Sequence, residues 1–144
     1  MLIFSACSSH PAVSELNDAA AIPASVLPVN PLQWTVLSSS INRRAHTTST
    51  MYANDTAFKF ARSVSGTRYP EHAYLAFVTW AQQDDAHWFG GRIPAALKSV
   101  ELIRFDVAGV PVYTRYEGTP LAAVPSQDTA RAGYLLALPV QVMP

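Results

Sequence analysis

The spacing of apolar residues changes along the chain, and each change predicts an element. In "PLQWTVLSS", Trp34, Val36 and Ser38 alternate with Thr35, Leu37 and Ser39, a period of two that predicts a first strand. "INRR" is a polar connection, and the β-branched and aromatic "HTTSTMYAN" predicts a second strand. Asn54-Asp55 offers an N-cap, and Ala57, Phe58, Ala61 and Val64 recur at helical spacing. One helix is therefore expected from Asp55 to Ser65, ended by Gly66. "RYPEHA" reads as a turn around Pro70. "YLAFVTW", Tyr74 to Trp80, is almost wholly apolar and predicts a central strand buried on both faces.

Further on, Glu101, Ile103 and Phe105 alternate with Val100, Leu102 and Arg104. Gly109 marks a hairpin turn, and "PVYTRYEG" is its return strand. "PLAAVPSQDTA" reads as a loop, and the apolar "ARAGYLLALPV" has no period that decides between helix and strand. "WAQQDDAHWFGGRIP", Trp80 to Pro94, reads as a turn at Gln82–Ala86 and a short strand at His87–Phe89, with Trp88 or Phe89 reaching inward. The expected fold is α+β: a mainly antiparallel sheet of about five strands with one packed α-helix.

Composition agrees with a compact domain. The 144 residues are 49% hydrophobic and 14% charged, enough for one core and too apolar for a disordered chain. Lys+Arg and Asp+Glu balance at 10 each, so no electrostatic footprint for nucleic acid is present. No apolar run approaches the roughly 20 residues of a membrane span.

The N-terminus changes the picture. "MLIFSACSSHP" carries a short apolar run to Cys7 through the small residues Ser5-Ala6, and resembles the end of a bacterial lipoprotein signal without its basic start. The organisation expected is a truncated signal over residues 1–7, a flexible Ala/Pro/Ser-rich tether over 8–30 and one domain over 31–144. That implies a lipoprotein of the bacterial periplasm, held at the membrane by lipid on Cys7. One cysteine also excludes an internal disulfide and a Cys-based zinc site within one chain.

Candidate chemistry is sparse. Asp84, Asp85 and His87 are oxygen and nitrogen donors close in sequence, which a divalent metal or a small hydrolase could use. A solvated turn explains them as well. Gly90-Gly91 lacks the strand–loop–helix context of a phosphate cradle. No nucleophile elbow occurs, and His46 and His72 read as surface or satisfied histidines. Phe77, Trp80, His87, Trp88 and Phe89 form the candidate ligand pocket, aromatic walls with one imidazole.

Four stretches in order resemble the cytochrome P-460 family and its cytochrome c′-beta relatives: "LQW", "TSTMYANDTAFKFARS", "YPEHAYLAFVTW" and "HWFGGRIPAALKSVELIRFD". The resemblance covers about residues 31–120. It implies an α+β fold dominated by an antiparallel sheet, a periplasmic location, frequent homodimers, and a c-type haem that oxidises hydroxylamine or binds small nitrogen oxides. The family attaches that haem through a C-x-x-C-H motif near the C-terminus, but "LAAVPSQDTARAGYLLALPV" contains neither Cys nor His. The porphyrin-linking lysine of the cytochromes P-460 is missing too; about Phe77 stands in its neighbourhood. Three functions follow, in order of preference. The first is a haem-free binding or interaction module, more a binder than an enzyme. The second is a non-covalent haem protein with His87, His72 or Met51 as ligand. The third is an unrelated hydrolase or metalloenzyme.

Overall fold

The computed structural model describes residues 17–23, 25–63, 66–126 and 128–141. Six antiparallel strands follow one another across a single sheet in chain order. They are β1 (Thr35–Asn42), β2 (Thr47–Ala53), β3 (Tyr74–Asp84), β4 (Arg92–Phe105), β5 (Pro111–Glu117) and β6 (Ala122–Val124). Helix α1 (Asp55–Ser63) joins β2 to β3, and α2 (Thr129–Leu136) follows β6. The α+β class holds, with one strand and one helix more than expected. β6 arises from the segment read as a loop, and α2 from the segment whose period was undecided. Asp128 caps α2 by accepting from the Arg131 amide at 2.8 Å.

Local chemistry explains the boundaries. Asn54 Oδ1 accepts from the amides of Ala57 and Tyr74, both at 3.0 Å, and its Nδ2 donates to the His72 carbonyl at 2.8 Å. One side chain thus caps α1 and fixes the start of β3. The helix ends at Ser63; Val64 and Ser65, expected to continue it, lie outside the described residues. In β1 the register slips between Val36 and Ser38, leaving Leu37 as an extra residue that buries itself under the helices.

Both sheet faces are covered. Under the helices lie Leu37, Met51, Leu75, Ile103, Phe105 and Leu135. Phe60 of α1 meets Tyr69 at 4.6 Å, and Tyr69 stacks on Phe105 at 5.0 Å. The opposite face buries Ala76, Val78, Trp80, Val100 and Leu102 beneath Leu27, with Ile22, Val29 and Trp34 packed alongside. β3 is therefore buried on both faces, as its unbroken apolar run predicts. The cover of that second face is the stretch expected to be a tether. From Asn17 to Trp34 the chain forms a strap across the sheet, and Trp80 Nε1 donates to the Ala20 carbonyl at 2.9 Å. Residues 8–16 of the expected tether, and Cys7, lie outside the described residues.

The β3–β4 connection also differs from expectation. Instead of turning at Gln82, β3 runs on to Asp84, with Gln82 opposite Pro94 and Asp84 opposite Arg92. Asp84 and Arg92 are ion-paired at 3.1 Å. His87–Phe89 is not a strand but the middle of the loop between them.

Candidate functional site

Register alone builds a gradient of polarity on the helix face. One row across β2–β5 is Ala53, Leu75, Ile103 and Tyr113. The next is Met51, Phe77, Glu101 and Arg115, and the third Ser49, Thr79, Ser99 and Glu117. Partners in an antiparallel ladder share a face, so these rows run from closed core to open polar surface. The helices cover the apolar rows, and a cleft opens over the polar ones.

Arg131 of α2 divides the cleft into two lobes. One, of about 520 Å³, is lined by Lys98, Ser99, Glu101, Arg115 and Glu117. The other, of about 550 Å³, is lined by residues that include Arg43, Ser49, Phe77 and Tyr134. Thr79 and Arg131 belong to both. Four cations, Arg43, Lys98, Arg115 and Arg131, face two anions, Glu101 and Glu117.

Glu101 sits at the floor, only 2% exposed. Strand alternation puts it there: Val100 and Leu102 turn to the strap face, so Glu101 shares the other face with Ile103 and Phe105. A buried carboxylate is costly unless paired and hydrogen-bonded. Here Arg131 donates from Nε to Oε1 and from Nη2 to Oε2, each at 2.8 Å, and the Tyr113 hydroxyl donates to Oε1 at 2.6 Å. Burial would raise the Glu101 carboxyl, but the bonds from Arg131 and Tyr113 and the positive charges of Arg131 and Arg115 outweigh it. The group is held below its ordinary value and ionised. Tyr113 moves the other way: burial, then its bond to the Glu101 carboxylate and that negative charge, raise the phenol well above its ordinary value.

Arg131 is held on both sides, its guanidinium lying 5.6 Å from the Phe77 ring centre and 5.2 Å from that of Tyr134. Arg115 is less committed. Its Nη2 reaches Glu117 at 2.7 Å, while its Nε is buried with no hydrogen-bond partner among the described residues. Ser49 and Thr79 share a hydroxyl hydrogen bond of 2.9 Å on the cleft floor.

The candidate pocket read from the sequence does not form. Phe77 belongs to the helix face and Trp80 to the strap face, so the sheet separates them. His87, Trp88 and Phe89 are exposed on the β3–β4 loop, and neither aromatic reaches inward. Period-two alternation puts residues three apart on opposite faces, and a hydrogen-bonded turn obeys no strand period. Asp84 is engaged with Arg92, and Asp85 Oδ1 accepts from the His87 amide at 2.8 Å. No three metal-binding side chains converge among the described residues.

The cleft holds none of the haem ligands expected from the sequence, although Tyr134 brings a phenol to its wall. Its lining residues supply no imidazole, thioether or thiolate. His46, His72 and His87 are exposed, and Met51 is packed in the helix-side core. The expected ligands His87, His72 and Met51 therefore do not meet at this cleft. Glu101 and Arg131 were the residues missed. The available signal was a lone charge in each of two otherwise apolar segments, "SVELI" and "ARAGYLL". Compared with known proteins, the chain matches no protein-family model and no curated protein. No helix among the described residues is long and apolar enough to cross a membrane.

Proposed function

We propose that this chain is a haem-free binding module on a cytochrome P-460-like domain, attached through lipid on Cys7 in a bacterial periplasm, and that its cleft takes a small carboxylate-bearing ligand. The observation that carries the ligand class is the cationic excess around a neutralised floor. Glu101 occupies two donors of Arg131, and Glu117 takes one of Arg115. That leaves Lys98 and the remaining guanidinium donors of the part-exposed Arg115 on the cleft wall, beside the hydroxyls of Thr79 and Ser99. A carboxylate satisfies a guanidinium edge with charge-assisted bonds, and the hydroxyls can donate to its second oxygen.

The test is a thermal-shift and calorimetric screen of mono-, di- and tricarboxylates, with inorganic phosphate as a second anion. A ligand at about 100 times its Kd adds about 2.7 kcal/mol to stability, a shift readily seen. Arg115→Ala should abolish it while leaving the Glu101–Arg131 pair intact. A shift equal in Arg115→Ala and in the parent chain, or none with any anion, overturns the assignment.

The alternative, a non-covalent haem protein handling hydroxylamine or nitrogen oxides, has against it the surface histidines and the enclosed Met51. A Soret band that saturates at one haem per chain on titration would restore it.

A further inference from the structure

The two most exposed aromatic side chains among the described residues lie side by side. Trp88 is 74% exposed and Phe89 entirely so, on the loop between β3 and β4. Solvent normally claims isolated aromatics at low cost, but this pair is held outward by a hydrogen-bonded turn. The Asp85 amide donates to the Gly91 carbonyl at 3.0 Å, and the Gly91 amide to the Trp88 carbonyl at 2.8 Å. The Asp85 side chain accepts from the His87 amide, and Gly90 takes the positive φ of 77° that the turn needs. The ion pair between Asp84 and Arg92 closes the base and neutralises it.

The strap begins beside this tip: Asn17 Nδ2 donates to the Pro94 carbonyl at 2.6 Å, and Pro94 pairs with Gln82 close to the last pair of the hairpin, Asp84 with Arg92. The first described residue of the strap therefore lies close to the aromatic end. Ten residue steps separate Asn17 from Cys7, a span of at most about 35 Å. Lipid on Cys7 would keep Asn17, and with it this end of the domain, within that distance of a bilayer.

We propose that Trp88 and Phe89 insert into the interfacial layer of the membrane, giving the anchored domain a fixed orientation with the tip down. Trp and Phe suit that layer, where an apolar ring is buried and the indole N–H stays hydrated. The pair forms a second point of contact, which fixes how the domain sits on its anchor. The inference rests on the proposed anchor, and the experiment separates the two.

Because Cys7 is the single cysteine, the full chain can be coupled through it to vesicles of phosphatidylcholine containing a maleimide-headgroup lipid, whether or not cells acylate it. Trp34 is half-buried and Trp80 buried, so Trp88 is the indole open to lipid. With brominated phosphatidylcholine the coupled chain should lose Trp emission, and Trp88→Phe should lose that quenching. Trp88→Ser/Phe89→Ser should also become more susceptible to protease at the loop when coupled. Equal emission in brominated and ordinary vesicles overturns the insertion, and so does retained quenching in Trp88→Phe. The anchor is read separately, from the mass of the Cys7 peptide isolated from bacterial membranes. An acylated Cys7 with an unquenched Trp88 leaves the anchor standing and the insertion refuted.

Discussion

Two places invert the ordinary sorting of side chains: Glu101 is buried and ionised, while Trp88 and Phe89 are apolar and exposed. Glu101 lies on β4 and the aromatic pair on the loop that leads into it, yet their surroundings share nothing. Glu101 is satisfied within the fold, by two donors of Arg131 and the phenol of Tyr113. The aromatic pair is left exposed by the described residues, although three hydrogen bonds hold the turn beneath it. A buried charge or an exposed apolar pair is informative, whereas a buried Leu is not. The difference lies in where the compensation comes from. For Glu101 it is internal, so its loss should be read as stability. For the tip it is external, so its loss should be read as binding.

The most severe way to break the comparison is to remove the partner of Glu101. Arg131→Met leaves a buried carboxylate with Tyr113 alone, and should cost about 3 kcal/mol, the lower end for a broken buried pair because Arg131 is 33% exposed. Glu101→Met/Arg131→Met should recover most of that loss, since two apolar side chains leave no uncompensated charge. Denaturant unfolding of the single and double variants checks both. A double variant no more stable than the single would show that the floor needs its charge for some other reason.

Acid sharpens the same point. The folded Glu101 carboxyl titrates below its ordinary value near 4.5, so its contribution is present above that pH and lost as pH falls through the folded value. Tyr113 has the opposite sign: its raised phenol contributes fully below its ordinary value near 10.0, and that contribution is lost as pH rises through the folded one. Unfolding curves should therefore weaken at both extremes. The acid limb should flatten in Glu101→Gln and the alkaline limb in Tyr113→Phe.

The strap offers a weaker break. Trp80→Phe removes the bond to the Ala20 carbonyl and should cost about 1 kcal/mol. It should also speed proteolysis between Asn17 and Trp34, which would confirm that this stretch is held by the sheet. An unchanged cleavage rate would mean that Ile22, Leu27 and Val29 hold the strap without that bond.

How much of this was legible follows from the length scale of each constraint. Strand and helix assignments came from local period, and β2, α1, β3 and β5 fall close to where the apolar spacing puts them. The strap was misread because Ile22, Leu27 and Val29 have no period of their own. They take their order from the sheet surface they cover. A hint was present: Val78 and Trp80 on β3, with Val100 and Leu102 on β4, need a cover on the face that the helices leave open. The Glu101–Arg131 pair joins residues 30 positions apart, which spacing cannot link. The false pocket came from treating nearness in sequence as nearness in space, across a sheet and around a turn.

The smallest expected effect decides what the tip is for. Trp88→Ser/Phe89→Ser removes two large apolar groups, yet both already contact water, so little burial is lost on unfolding. The turn itself is backbone and Asp85, which the substitutions leave in place. Stability in solution should change by less than about 0.5 kcal/mol, the range of ordinary surface substitutions. A loss of 2 kcal/mol or more on the scale of a buried side chain, roughly, would place the aromatics against part of the chain and remove the reason to seek their partner outside it. An unchanged unfolding midpoint together with lost lipid quenching is the pairing of results that only an external partner produces.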